Sequence, residues 1–88
     1  MKLWFKIMKG DKMIFDTLEK NDLPLSRDEY ERMLSELCHT ANLSTPISLA
    51  PHFLSLVRFN ITEYLPRDFV ESVEFDKVIV ENVDRDER

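Results

Sequence analysis

Four carboxylates, Asp68, Glu71, Glu74 and Asp76, fall within nine residues, close enough in sequence to be weighed as one chemical group. A hard divalent cation needs several oxygen ligands converging on one point. Glu74 and Asp76 would share a strand face about 7 Å apart by strand geometry, yet neither a calcium-loop spacing nor a glycine-bearing loop accompanies them. The expectation is a hydrated or structural surface, with a metal-dependent enzyme or enzyme subunit using these four groups as the alternative. Cys38 and His39 are neighbours in sequence, but adjacent side chains on a helix diverge by about 100°, so they suit neither one metal ion nor a nucleophile and its base. His52 is the only other histidine, which leaves a zinc site short of ligands. Asn60-Ile61-Thr62 fits a glycosylation acceptor by pattern alone, and no phosphate-binding glycine loop or nucleophile elbow is present. The residues assemble no catalytic set and imply neither cofactor nor metal.

Any such groups must be held by 88 residues with 43% hydrophobic and 33% charged content, enough for one core and one domain. A chain of this size buries only about 60% of its unfolded surface, so its margin of stability is thin unless a partner adds to it. Twelve basic and seventeen acidic side chains give a net charge of −5, a field that repels nucleic acid and anionic membranes. A lone cysteine excludes an internal disulfide. Lys2 and Lys6 interrupt the opening apolar residues as no signal peptide would, and no apolar run exceeds three residues, so the chain reads as cytoplasmic, with no membrane association.

Residues 1–20 read as a β-hairpin turning at the single glycine, Gly10, with Gly10-Asp11 suited to a type II′ turn. Pairing Lys9 with Lys12 then sets Met8 opposite Met13, Ile7 opposite Ile14, Phe5 opposite Asp16 and Leu3 opposite Leu18. One face carries Leu3, Phe5, Ile7, Ile14 and Leu18 around Asp16, an odd carboxylate that would need nearby donors on a core face. The other carries Trp4, Met8, Met13 and Phe15 among polar residues, and these four form the candidate interface.

Ser26 opens the clearest helix, with Glu29 completing a capping box and Tyr30, Met33, Leu34, Leu37, Cys38 and Ala41 on one stripe up to a stop at Asn42. Residues 45–49 suggest a short strand, which Pro46 confines to a strand beginning or a sheet edge. For 51–60 both periods fit, and Pro51 in a first helical position with Asn60 as a left-handed cap favours a helix presenting Phe53, Leu54, Val57 and Ile61. Pro66 opens a single helical turn, Ser72 to Val83 form a strand whose phase shifts between Phe75 and Val78, and 84–88 are a flexible charged tail. The order is ββαβαβ: an α+β domain over 1–83, with a sheet of three to four strands and helices on one face.

The chain resembles a group of short, uncharacterised cytoplasmic proteins of Firmicute-type bacteria. The resemblance rests on Met1-Lys2-Leu3-Trp4-Phe5-Lys6-Ile7, Leu37-Cys38, Pro46-Ile47 with Leu49, Thr62, and above all the run from Asp68 through Phe69-Val70-Glu71-Ser72-Val73-Glu74-Phe75 to Asp76. Where that group carries an aromatic at 48, an acid at 50 and basic residues over 57–59, this chain has Ser48, Ala50, Val57, Arg58 and Phe59, so a basic group surface is mostly lost. The resemblance implies one domain in the ββαβαβ order and brings no activity with it. The expected function is a non-catalytic interaction module that binds a protein partner or itself as a homodimer, without direct nucleic-acid contact. An acidic regulator reaching nucleic-acid processes through protein contacts is a further alternative.

Overall fold

The computed structural model describes residues 1–83, and the tail expected over 84–88 lies outside the described residues. Strands β1 (Lys2–Lys9) and β2 (Lys12–Lys20) form the hairpin, followed by helices α1 (Arg27–Thr40) and α2 (Ala50–Phe59), then β3 (Ile61–Tyr64), a single 3-10 turn at Pro66–Asp68, and β4 (Lys77–Asn82). The four strands make one antiparallel sheet in the order β2-β1-β4-β3. The class is α+β as expected, but the order is ββααββ.

Two of the expected elements change and one is added. Residues 45–49 form no strand: Pro46 brings no N–H, and the segment makes one backbone bond to the 3-10 turn, from Ile47 N–H to Asp68 O at 2.8 Å. The strand expected from Ser72 begins only at Lys77. Before it, Phe69 and Phe75 meet edge to face at 5.4 Å and bury themselves against the core, which bends the chain between them and accounts for the phase shift. The strand added is β3, whose four residues Ile-Thr-Glu-Tyr are rich in β-formers but too short to declare a period.

The hairpin turns where expected. Gly10 takes φ +61° while Asp11 keeps a negative φ, as a type II′ turn requires. The expected register holds for Lys9↔Lys12 and Met8↔Met13 and then slips by one, giving Ile7↔Phe15, Lys6↔Asp16, Phe5↔Thr17 and Leu3↔Glu19. Ile14 is the extra residue of a β-bulge, and one inserted residue exchanges the faces of everything beyond it. Phe15 therefore turns to the core side, while Ile14 and Leu18 are exposed. Asp16 lies on the outer face, where its carboxylate accepts the Trp4 indole N–H at 2.8 Å, so no charge has to be anchored in the core.

Helix α1 begins at Ser26, whose hydroxyl accepts the Glu29 N–H at 3.2 Å. The reciprocal half of the capping box does not form, because the Glu29 carboxylate accepts instead from Arg32 at 2.7 Å and from Asn21. The helix closes at Asn42 (φ 62°) with Leu43 N–H bonding Cys38 O and Asn42 N–H bonding His39 O, a Schellman arrangement. Its stripe Tyr30, Met33, Leu34, Leu37 and Cys38 is buried with Leu3, Phe5, Ile7, Val78 and Val80 from the sheet and Leu56 from α2. Helix α2 has Pro51 in its first turn and Asn60 (φ 62°) as its left-handed cap. It is rotated from the expected face: Leu56 is buried and Phe53 half-buried, while Leu54 and Val57 are exposed.

Candidate functional site

Both helices bury their apolar stripes on the side of the sheet that carries Leu3, Phe5, Ile7, Val78, Val80, Thr62 and Tyr64. The side chains between these on each strand form the outer face. Register places Leu18, Trp4, Glu81 and Ile61 in one row across the four strands, and Asp16, Lys6, Ile79 and Glu63 in the next. A third row brings Met13, Met8 and Lys77 together. Of the expected interface residues, Trp4, Met8 and Met13 are brought together here, and Phe15 is not. Ile79 and Leu18 complete the apolar set; Ile79 lies on a strand placed only by long-range pairing, and Leu18 was hidden by the bulge.

Charged side chains on this face are largely matched within it. Lys6 Nζ sits 3.1 Å from Glu81 Oε1 and 4.1 Å from the Trp4 ring centroid, and Lys77 lies 3.4 Å from Glu63. With the Asp16 carboxylate on the Trp4 indole, the result is a surface of apolar groups and paired charges. Such pairs tolerate partial desolvation better than lone ions do.

The four carboxylates of 68–76 take separate tasks. Asp68 Oδ2 accepts the Leu65 N–H at 2.8 Å and closes the 3-10 turn, and Asp76 Oδ2 accepts the Gly10 N–H at the tip of the hairpin. Glu71 and Glu74 are exposed. Among the described residues no group of three or more His, Cys, Asp or Glu side chains is placed to hold a metal ion. Cys38 is buried, and burial pushes its thiol up to about 12, so no thiolate is present at neutral pH. His39, next to it on the same helix, is exposed.

A polar cluster that the sequence did not announce joins the two helices to the sheet. Tyr30 and Tyr64 are fully buried with their hydroxyls 2.6 Å apart, and the Ser48 hydroxyl lies 3.0 Å from that of Tyr64. Burial raises both phenols, so both remain neutral. The His52 ring stacks on Tyr64 at 4.4 Å between centroids. Its Nδ1 accepts the Leu49 N–H at 3.0 Å, which assigns the proton of the neutral ring to Nε2, 3.6 Å from Asp68 Oδ2. Beside this cluster, Pro51, His52 and Ser55 of α2 and Ile61, Thr62 and Glu63 of β3 line a groove of about 360 Å³.

No family model, curated protein or solved structure matches the chain. Among the described residues no helix is long and apolar enough to cross a membrane.

Proposed function

We propose that the chain is a non-catalytic interaction module of the bacterial cytoplasm, akin to the short Firmicute-type proteins it resembles, that meets a protein partner or a second copy of itself through the outer face of its sheet. The observation that supports this reading is the one-sided packing of the helices, which leaves Trp4, Met8, Ile79 and Leu18 without a covering element among the described residues. Contiguous apolar area rimmed by polar groups is the usual mark of a protein contact, and tryptophan and methionine are favoured there. Neutralised charges on the face suit docking against another protein, and the acidic balance of the whole chain disfavours nucleic acid.

The test is the double variant Met8→Lys with Met13→Lys. Met13 is 45% exposed and Met8 half-buried, so both lysines can reach water and the circular dichroism spectrum should be unchanged. The wild type should sediment as a dimer or carry a stoichiometric partner from its source cell, and the variant should sediment as a monomer without that partner. An unchanged sedimentation profile together with an unchanged partner would remove the outer face from the reading.

A further inference from the structure

The sheet has two edges, β2 and β3, and they differ in their defences. β2 carries the bulge at Ile14 and lysines at both ends, Lys12 and Lys20, devices that discourage strand addition. β3 carries neither, and the groove beside α2 runs along it.

The orientation of its backbone follows from one bond. Asn82 N–H donates to Asn60 O at 2.8 Å, which makes Asn60 and Asn82 a hydrogen-bonded pair and sets the alternation of the β3–β4 ladder. Thr62 and Tyr64 therefore turn their N–H and C=O groups to β4, and Ile61 and Glu63 turn theirs away. Two side-chain bonds agree with this phase: Ser55 Oγ donates to Ile61 O at 2.6 Å, and Leu65 N–H is taken by Asp68. Among the described residues the Ile61 N–H, the Glu63 N–H and the Glu63 C=O stand along the edge with no intramolecular bond. A concave set of donors alone would suit an anion, whereas alternating donors and an acceptor at strand spacing match another extended backbone.

We propose that the groove between α2 and β3 binds an extended polypeptide segment that alternates basic and β-branched residues, added to the sheet as a fifth strand. The site lies at the edge of the sheet and shares only Ile61 and Glu63 with the outer face. Alternate side chains of the incoming strand fall on opposite faces of the sheet. Those on the outer side lie beside the Glu63 carboxylate, which is half-exposed with Lys77 at 3.4 Å and so keeps room for a second cation, and the net charge of −5 favours a lysine or arginine there. Those on the inner side enter the groove over Thr62, Pro51 and Ser55, where a compact apolar group fits. A second copy of the chain is the poorer occupant. Each copy carries −5, and an antiparallel pairing centred on Glu63 would oppose two glutamates.

The probe is a capped hexapeptide alternating lysine and valine, titrated into the full 15N-labelled protein and compared with its glutamate–valine counterpart. The basic peptide should produce saturable amide shifts centred on Ile61 and Glu63, and the acidic one should bind about fivefold more weakly or less. Glu63→Pro deletes an N–H that faces away from β4, so the ladder keeps its bonds and peptide affinity should fall about fivefold. If that variant does not fold, Glu63→Lys leaves the backbone intact and should reverse the preference between the two peptides. Absence of saturable shifts at Ile61 and Glu63 would overturn the site, as would saturation confined to β2 or to the β1 and β4 residues of the outer face. Equal binding of the two peptides would overturn the assignment of a basic segment.

Discussion

At the scale of single residues, the hydroxyl chain Tyr30–Tyr64–Ser48 makes the sharpest demand on side-chain identity. The Tyr30 hydroxyl is buried with Tyr64 as its partner, whereas Tyr64 also has Ser48. Tyr64→Phe leaves the Tyr30 hydroxyl unsatisfied in the core and should cost about 1–3 kcal/mol, while Tyr30→Phe leaves Tyr64 bonded to Ser48 and should cost about 0.5–1.5 kcal/mol. The double phenylalanine variant should be less destabilised than the sum of the two, because it removes the orphan along with its partner. Urea melts of the four proteins check this, and a Tyr30→Phe cost exceeding that of Tyr64→Phe would contradict the asymmetry. The buried role of Tyr30 was legible from its place on the α1 stripe, as was that of Cys38. Tyr64 was not, because the strand that aims it inward has only four residues and its partner lies 34 positions away.

At the scale of elements, the contact between β2 and α1 holds a carboxyl pair with a defined pH response. The Glu19 carboxyl is raised from its usual 4.5 to about 7, first by burial and then by its hydrogen bond to Glu36 and the charge there, against the opposing pull of Arg32. Glu36 is held below the ordinary carboxylate range by that hydrogen bond and by Arg32. Below about pH 7 a protonated Glu19 can donate to an ionised Glu36. Because folding raises the affinity of Glu19 for its proton, its contribution is fully present below pH 4.5 and is lost as pH rises through about 7. Glu36 works in the opposite sense, its contribution being lost only as pH falls below the ordinary carboxylate range. Melting temperature should therefore decline between pH 5 and pH 8, and Glu19→Gln, which keeps a donor to Glu36 and removes the titration, should flatten that decline and melt higher than the wild type at pH 8. A decline that persists in Glu19→Gln would assign it to other groups.

This carboxyl contact exists because Glu19 faces α1, and Glu19 faces α1 because of the bulge. The elements themselves were largely legible: the turn at Gly10, the cap at Ser26, the stop at Asn42 and the helix from Pro51 to Asn60 each depend on a residue with a strong local preference. The register of β2 was not. Met13-Ile14-Phe15 is uniformly apolar, so nothing in that run marks which residue is the inserted one, and the pairing is decided by which choice buries Phe15 with the core. The outer face was read in its β1 half, where strict alternation settles Trp4 and Met8. Its β4 half depends on a pairing across most of the chain, and no local pattern carries that information.

At the scale of the whole molecule, the centre of the sheet is built from its most distant parts. β1 pairs with β4 from Leu3↔Asn82 to Met8↔Lys77, so the two inner strands come from opposite ends of the described chain, and the hairpin partner β2 is left at an edge. Such long-range pairing must overcome the entropy of closing the whole intervening loop before it is rewarded. The hairpin and α1 therefore cannot be completed as an independent core: Val78 and Val80 are needed to cover Phe5 and Ile7, and they arrive with β4. Opening of the structure should then be global for the inner strands and local at both edges. Val83 N–H donates to Lys2 O, which fixes the β1–β4 alternation and turns the amides of Trp4, Lys6, Ile79 and Glu81 into that ladder. In native-state hydrogen exchange these four amides should be among the slowest and should share one opening free energy equal to that of global unfolding. The amides of Asp16 and Leu18 on β2, and of Ile61 and Glu63 on β3, face away from the sheet and should exchange much faster. Protection of α1 and β2 that outlasts β4 would show that the first forty residues hold together without the last strand. The outer-face rows joining Trp4 to Glu81 and Lys6 to Ile79 would then assemble in a later step than the hairpin and α1, whereas a shared opening energy means that the surface proposed for binding exists only in the fully folded chain.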